Sequence, residues 1–99
     1  LTYVIFEVKT EERGKINRLI KDDLVSRQSI LTRDSNSLDM KGDFQYVKIE
    51  GSDEGVKKAV ELAKELEFKK LDDKKAKEIN VKIEEQEDSA ASGMGMIFD

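Results

Sequence analysis

Residues 79–85 read INVKIEE. Ile79, Val81 and Ile83 alternate with Asn80, Lys82 and Glu84, the two-residue period of a strand with one buried face. Taken as a strand, this stretch closes a series of elements. Upstream, Val56, Ala59, Val60, Ala63 and Leu66 form the clearest helical stripe in the chain, introduced by Gly51 as a turn and Ser52 as an N-cap. Residues 68–78, FKKLDDKKAKE, fit a prolongation of that helix, a second short helix, or an edge strand presenting Phe68 and Leu71. The sequence leaves these three open.

Further toward the N-terminus, residues 41–49 read KGDFQYVKI, with Val47 and Ile49 on one side of a strand and Phe44 and Tyr46 on the other. The opening stretch sets Val4, Phe6 and Val8 against Tyr3, Ile5 and Glu7, and its β-branched and aromatic content suits a strand. Between them, TEERGKINRLIKDDL (10–24) places Ile16, Leu19, Ile20 and Leu24 at helical spacing. Thr10 is its candidate N-cap, acids fill the first turn and Gly14 lies near the start. QSILTRD (28–34) reads as a short strand, and SNSLDMKGD (35–43) as the turn of a hairpin, rich in residues that bond their own backbone or accept positive φ.

The resulting order is β-α-β-β-α-β, the ferredoxin-like split arrangement. The expectation is an α+β domain over residues 1–88: a four-stranded antiparallel sheet, β1 and β3 central, with two helices on one face. Residues 89–99, SAASGMGMIFD, read as a flexible small-residue tail with an apolar tip.

Composition narrows the chemistry. Ninety-nine residues, 37% apolar and 40% charged, fit one folded domain with a well-solvated exterior. A net charge of −4 with both signs interspersed provides no long-range field for a polyanion. The chain has neither cysteine nor histidine, so disulfides, thiolate metal sites and histidine-dependent triads are excluded. With no run of roughly 20 apolar residues and no basic-apolar-small leader, the expectation is a cytoplasmic protein without membrane contact. No nucleophile, base and oxyanion site assemble in the pattern, so an enzyme is not expected, nor is a cofactor or metal.

If both helices lie on one face, Tyr3, Ile5, Phe44 and Tyr46 share the other, flanked by Lys48 and Glu7. Such a patch asks for a cover. Self-association is one, making a homodimer or other homo-oligomer. The tail is another, with Met94, Met96, Ile97 and Phe98 folded onto the rings. RNA is the third. KGDFQYVKI resembles the third-strand signature of the RNA-recognition motif family, with Phe44 and Tyr46 at the stacking positions, and TYVIFEV (2–8) resembles its first-strand signature, with Tyr3 as a third ring.

The whole chain also resembles ACT-type regulatory domains. The matching residues are YVIFEV (3–8), Gly14 followed by Ile16, Leu19 and Ile20, then Ile30 and Leu31, and YVKIEG (46–51) leading into AVELA (59–63). That resemblance implies pairing through sheets or helices and a small-molecule effector held near the start of the first helix, here Thr10, Glu11, Glu12, Arg13, Gly14 and Lys15. The bias toward Lys, Glu, Asp and Ile is similar to that of small proteins of methanogenic archaea.

Other patterns read as structure. Asp34, Asn36 and Asp39 suggest a calcium loop, but Leu38 stands at the fifth position, no glycine follows at the sixth and Gln45 stands where an EF-hand needs a glutamate, so a hairpin turn is the expectation. The adjacent acids Asp22–Asp23, Asp72–Asp73 and Glu84–Glu85 point apart on any regular element, and the lysines from 69 to 77 are diluted by acids. The sequence therefore predicts a non-enzymatic regulatory or adaptor module acting by association, with single-stranded RNA binding through Tyr3, Phe44, Tyr46 and Lys48 as the alternative.

Overall fold

β1 (Thr2–Lys9) and β3 (Phe44–Gly51) pair antiparallel along their whole length, from Thr2 opposite Gly51 to Lys9 opposite Phe44. They are the centre of a four-stranded antiparallel sheet in the order β2-β3-β1-β4, with β2 (Ser29–Asp34) and β4 (Lys69–Lys70) at its borders. Among the described residues three α-helices complete the α+β fold: α1 (Ile16–Ile20), α2 (Asp53–Glu65) and α3 (Asp73–Phe98). The computed structural model describes residues 2–98, and the side chains of residues 2–87.

Alternation along the strands separates two cores. Val4, Phe6 and Val8 of β1 and Val47 and Ile49 of β3 pack with Ile16 and Leu19 of α1 and Val56, Ala59 and Ala63 of α2. On the opposite face Ile5 and Tyr46 pack with Ala76, Ile79 and Ile83 of α3, with Leu38 and Leu71 at the margins. The sheet is thus covered on both faces.

This corrects the reading of residues 79–85 as the fourth strand, and with it the expectation of a helix-free second face; the two expected helices, α1 and α2, do share one face. The same apolar residues satisfy two periods. Ile79 and Ile83 are one helical turn apart and share a helix face, with Ala76 one turn earlier, while Val81 points to water at 43% exposure. Asp72 starts the helix. Its carboxylate accepts from the Lys75 N–H at 2.8 Å and its carbonyl from the Ala76 N–H at 2.8 Å. The fourth strand is instead the edge-strand alternative for residues 68–78, sending Phe68 to one core and Leu71 to the other.

The first helix also differs from its expected form. Residues Thr10–Lys15 are 3₁₀, the Thr10 side chain caps nothing, and its N–H donates to the Asp43 carbonyl at 3.0 Å. The α-helical turn stops at Ile20 because the Asp22 carboxylate captures the N–H groups of Leu24 and Val25, at 3.0 and 3.1 Å, and turns the chain into a second 3₁₀ piece, Val25–Arg27. Ser52 caps α2 as its position predicts, accepting from the Gly55 N–H at 3.1 Å. In the β2–β3 hairpin Gly42 has φ +99°, and a Cβ there would lie 2.6 Å from the Phe44 ring, so glycine is required. The expected flexible segment over residues 89–99, with Met94, Met96, Ile97 and Phe98 on the sheet, lies outside the residues whose side chains are described.

α2 ends in a Schellman turn. The Phe68 N–H donates to Ala63 at 2.9 Å and the Glu67 N–H to Lys64 at 3.1 Å, with Glu67 at φ 62°. A non-glycine residue is strained there, so Glu67→Gly should raise stability by up to about 1 kcal/mol in urea unfolding. The helical α3 makes a sharper prediction. Ile83→Ala should cost about 2–5 kcal/mol, and Val81→Ala should stay within about 0.5 kcal/mol of the parent. Comparable losses at the two positions would restore the strand reading.

Candidate functional site

The five residues singled out for the second sheet face do converge. Tyr3 and Ile5 of β1 lie beside Phe44, Tyr46 and Lys48 of β3, because directly opposite residues of an antiparallel pair share a face and the register sets Ile5 opposite Lys48 and Glu7 opposite Tyr46. The face is closed, however: Ile5 is 0% and Tyr46 2% exposed beneath α3, and Tyr3 and Phe44 are partly buried against the same cluster. The expectation of a side open to water is therefore corrected. The cover comes from the chain itself, through residues that alternation alone placed in the sheet.

Polar groups on this face are tied locally. The Tyr46 hydroxyl donates to a Glu7 carboxylate oxygen at 3.2 Å. The Lys48 ammonium sits 5.3 Å from the Tyr3 ring centroid and 4.0 Å from a Glu50 oxygen. Near the β2 border the Arg33 Nε donates to the Gln86 side-chain oxygen at 3.2 Å, and its guanidinium lies 3.9 Å from Glu87. Gln86 in turn donates to the Ser37 carbonyl. These contacts pin α3 to the far side of the sheet from β4.

The residues of the expected effector turn, Thr10, Glu11, Glu12, Arg13, Gly14 and Lys15, stay together in the 3₁₀ segment at the other end of the sheet. Lys15 pairs with Glu12 at 3.7 Å, and Thr10 and Glu11 line a cleft of about 360 Å³ with Gly42, Asp43 and Phe44. The Asp34 carboxylate accepts from the Ser37 N–H at 2.7 Å and so stabilises the turn between β2 and β3. Among the described residues no group of three or more acidic side chains is placed to hold a metal ion. Among them, too, no helix is long and apolar enough to cross a membrane.

With both faces occupied, unpaired backbone groups remain at the sheet borders. Backbone direction follows from single bonds. The Ser35 N–H donates to the Phe44 carbonyl at 2.8 Å, so odd residues of β2 face β3 and the N–H and C=O groups of Ile30, Thr32 and Asp34 face outward. One of them is met locally, the Thr32 carbonyl accepting from the Arg33 guanidinium at 2.8 Å. At the opposite border β4 spans two residues and leaves the first part of β1 without a partner strand. The signal for the β2 border was available in the expected strand order. That for β1 was not, since the length of β4 depends on where α3 begins. Comparison of the chain with protein-family models, curated proteins and solved structures returns no significant match.

The closed face has a titration consequence. Burial first, then the charge and hydrogen bond of Glu7, then the charge of Glu78, push the Tyr46 hydroxyl from 10.0 up to about 12. A folded-state value above the unfolded one means that this contribution is complete below pH 10 and is lost as pH rises through about 12. Urea midpoints measured across that window should fall for the parent relative to Tyr46→Phe. Parallel curves would mean that the ring is open to water.

Proposed function

We propose that this chain is a non-enzymatic ferredoxin-like association module, its βαββαβ plan completed by the short β4 and sealed by α3, which pairs with a second copy through β2. The observation that carries this reading is the outer border of β2. Six residues of strand present three outward sets of backbone groups while both faces of the sheet are covered. An edge of this kind is a template for another strand, and no proline or bulge blunts it.

A twofold axis perpendicular to the sheet pairs two β2 strands antiparallel and keeps each face continuous. Centred on Leu31, the pairing sets that partly buried side chain opposite its own copy. The N–H of Ile30 then donates to the Thr32 carbonyl of the second copy, replacing the local Arg33 bond. Arg33 comes opposite Ser29, beside a cleft of about 130 Å³ that Glu50 and Glu87 line together with Lys48, itself 4.0 Å from Glu50. The excess of carboxylate over ammonium in that cleft complements the guanidinium, twice across the axis. The result is one eight-stranded sheet built from two chains.

Stacking of RNA bases on Tyr3, Phe44 and Tyr46 requires open ring faces, and α3 takes that space, so edge pairing is the better supported reading. Light scattering coupled to size exclusion, run up to about 1 mM, where binding is worth roughly 4 kcal/mol, should show a concentration-dependent dimer. Thr32→Pro removes one outward N–H at a position where an edge strand tolerates proline, and should leave a folded monomer by circular dichroism. A parent that stays monomeric at that concentration, or a folded Thr32→Pro chain that dimerises as well as the parent, would overturn the proposal.

A further inference from the structure

The other border of the sheet offers a different surface. β4 pairs with Phe6 and Glu7, and the Leu71 N–H donates to the Ile5 carbonyl at 3.0 Å just before the chain turns into α3. Backbone groups of an antiparallel strand point to alternate sides, so the Ile5 bond places the N–H and C=O of Tyr3 on this same side, past the end of β4. They look into a cleft of about 450 Å³. Val56 and Val60 of α2 make one wall, and Leu71 and Ala76 make the other. Lys70 and Lys77 also line it, and neither has an ion-pair partner among the described residues. Asp73 is the single carboxylate among the lining residues.

We propose that this cleft accepts an extended acidic peptide segment of a partner protein, added to the sheet as a strand beside Thr2–Val4. The paired donor and acceptor of Tyr3 fit an extended main chain. The valine wall and the Leu71–Ala76 wall take small apolar side chains from alternate positions of that chain, since successive side chains of a strand point to opposite faces. The two unpaired ammonium groups select carboxylates. A small anion would meet the lysines and leave the backbone pair and both walls unmatched. At about 3.3 Å per residue the uncovered part of β1 is about 10 Å long, so roughly three residues of the peptide dock. This surface is on the border opposite β2 and does not depend on self-association.

The test uses the Thr32→Pro chain as well as the parent, so that failure here and failure of the β2 pairing are separable. The probe is the peptide acetyl-Val-Asp-Val-Glu-Val-amide, titrated into isotopically labelled protein. The amide signals of Thr2, Tyr3, Val4, Val60 and Ala76 should shift, and exchange of the Tyr3 N–H with solvent should slow, in both chains. Lys70→Glu combined with Lys77→Glu should weaken binding at least tenfold while the remaining spectrum stays that of the folded parent. The same peptide with lysines in place of its acids should bind at least tenfold more weakly. Absence of shifts, equal binding of the two peptides, shifts centred on Ile30 and Thr32, or concentration-dependent shifts of Thr2 to Val4 without peptide would each overturn the proposal, the last by giving the cleft to a second copy.

Discussion

The structure depends on the contact between α3 and the second face of the sheet. Ile5 and Tyr46 point away from α1 and α2 because the strands alternate, and α3 supplies most of the buried side chains that remove them from water, with Leu38 and Leu71 at the margins. Ile79 and Ile83 do so at 0% and 1% exposure, each contributing on the order of 1.5–3 kcal/mol of transfer free energy before ordering costs. A sheet of this size with one bare aromatic side would be an association surface by default. With α3 in place it becomes a three-layer body with open backbone groups at the borders of its sheet.

That closure redirects the functional reading. The residues expected to form a platform are grouped as expected, and their rings serve as the floor of a core. The proposed association therefore passes from side-chain stacking on a face to backbone pairing at an edge. The two edges differ in character. β2 is six residues long and self-complementary in register, whereas the open part of β1 is short, walled by helices and flanked by lysines. The first is the edge proposed for a second copy of the chain, the second the one proposed for an extended segment of opposite charge.

Much of this was readable in the residues. β1, β2 and β3 announce themselves by alternation and by the turn-forming stretch between the last two. The stripe from Val56 to Leu66 and the Ser52 cap define α2. The failures have physical causes. Alternation at 79, 81 and 83 cannot separate a strand from a helix, because positions four apart share a face in both, and only the environment of Val81 distinguishes them. The lysines and glutamates that fill residues 74–87 favour a helix, and Asp72 supplies its cap, a signal outweighed by the apparent two-residue period. Asp22 shortens α1 through a side-chain-to-backbone bond that spacing does not reveal. The open border of β1 was illegible for a related reason: it exists because the chain leaves the sheet at Leu71 to begin α3.

The most direct test of α3 as the cover of the second face is a nuclear Overhauser spectrum with labelled isoleucine methyl groups. The structure predicts cross-peaks from the Ile79 and Ile83 methyls to the ring protons of Tyr46 and the methyls of Ile5, together with the sequential amide contacts of a helix through residues 73–87. Contacts between the α-protons of residues 79–85 and those of β1, with no methyl contact to Tyr46, would place this stretch back in the sheet and contradict the account.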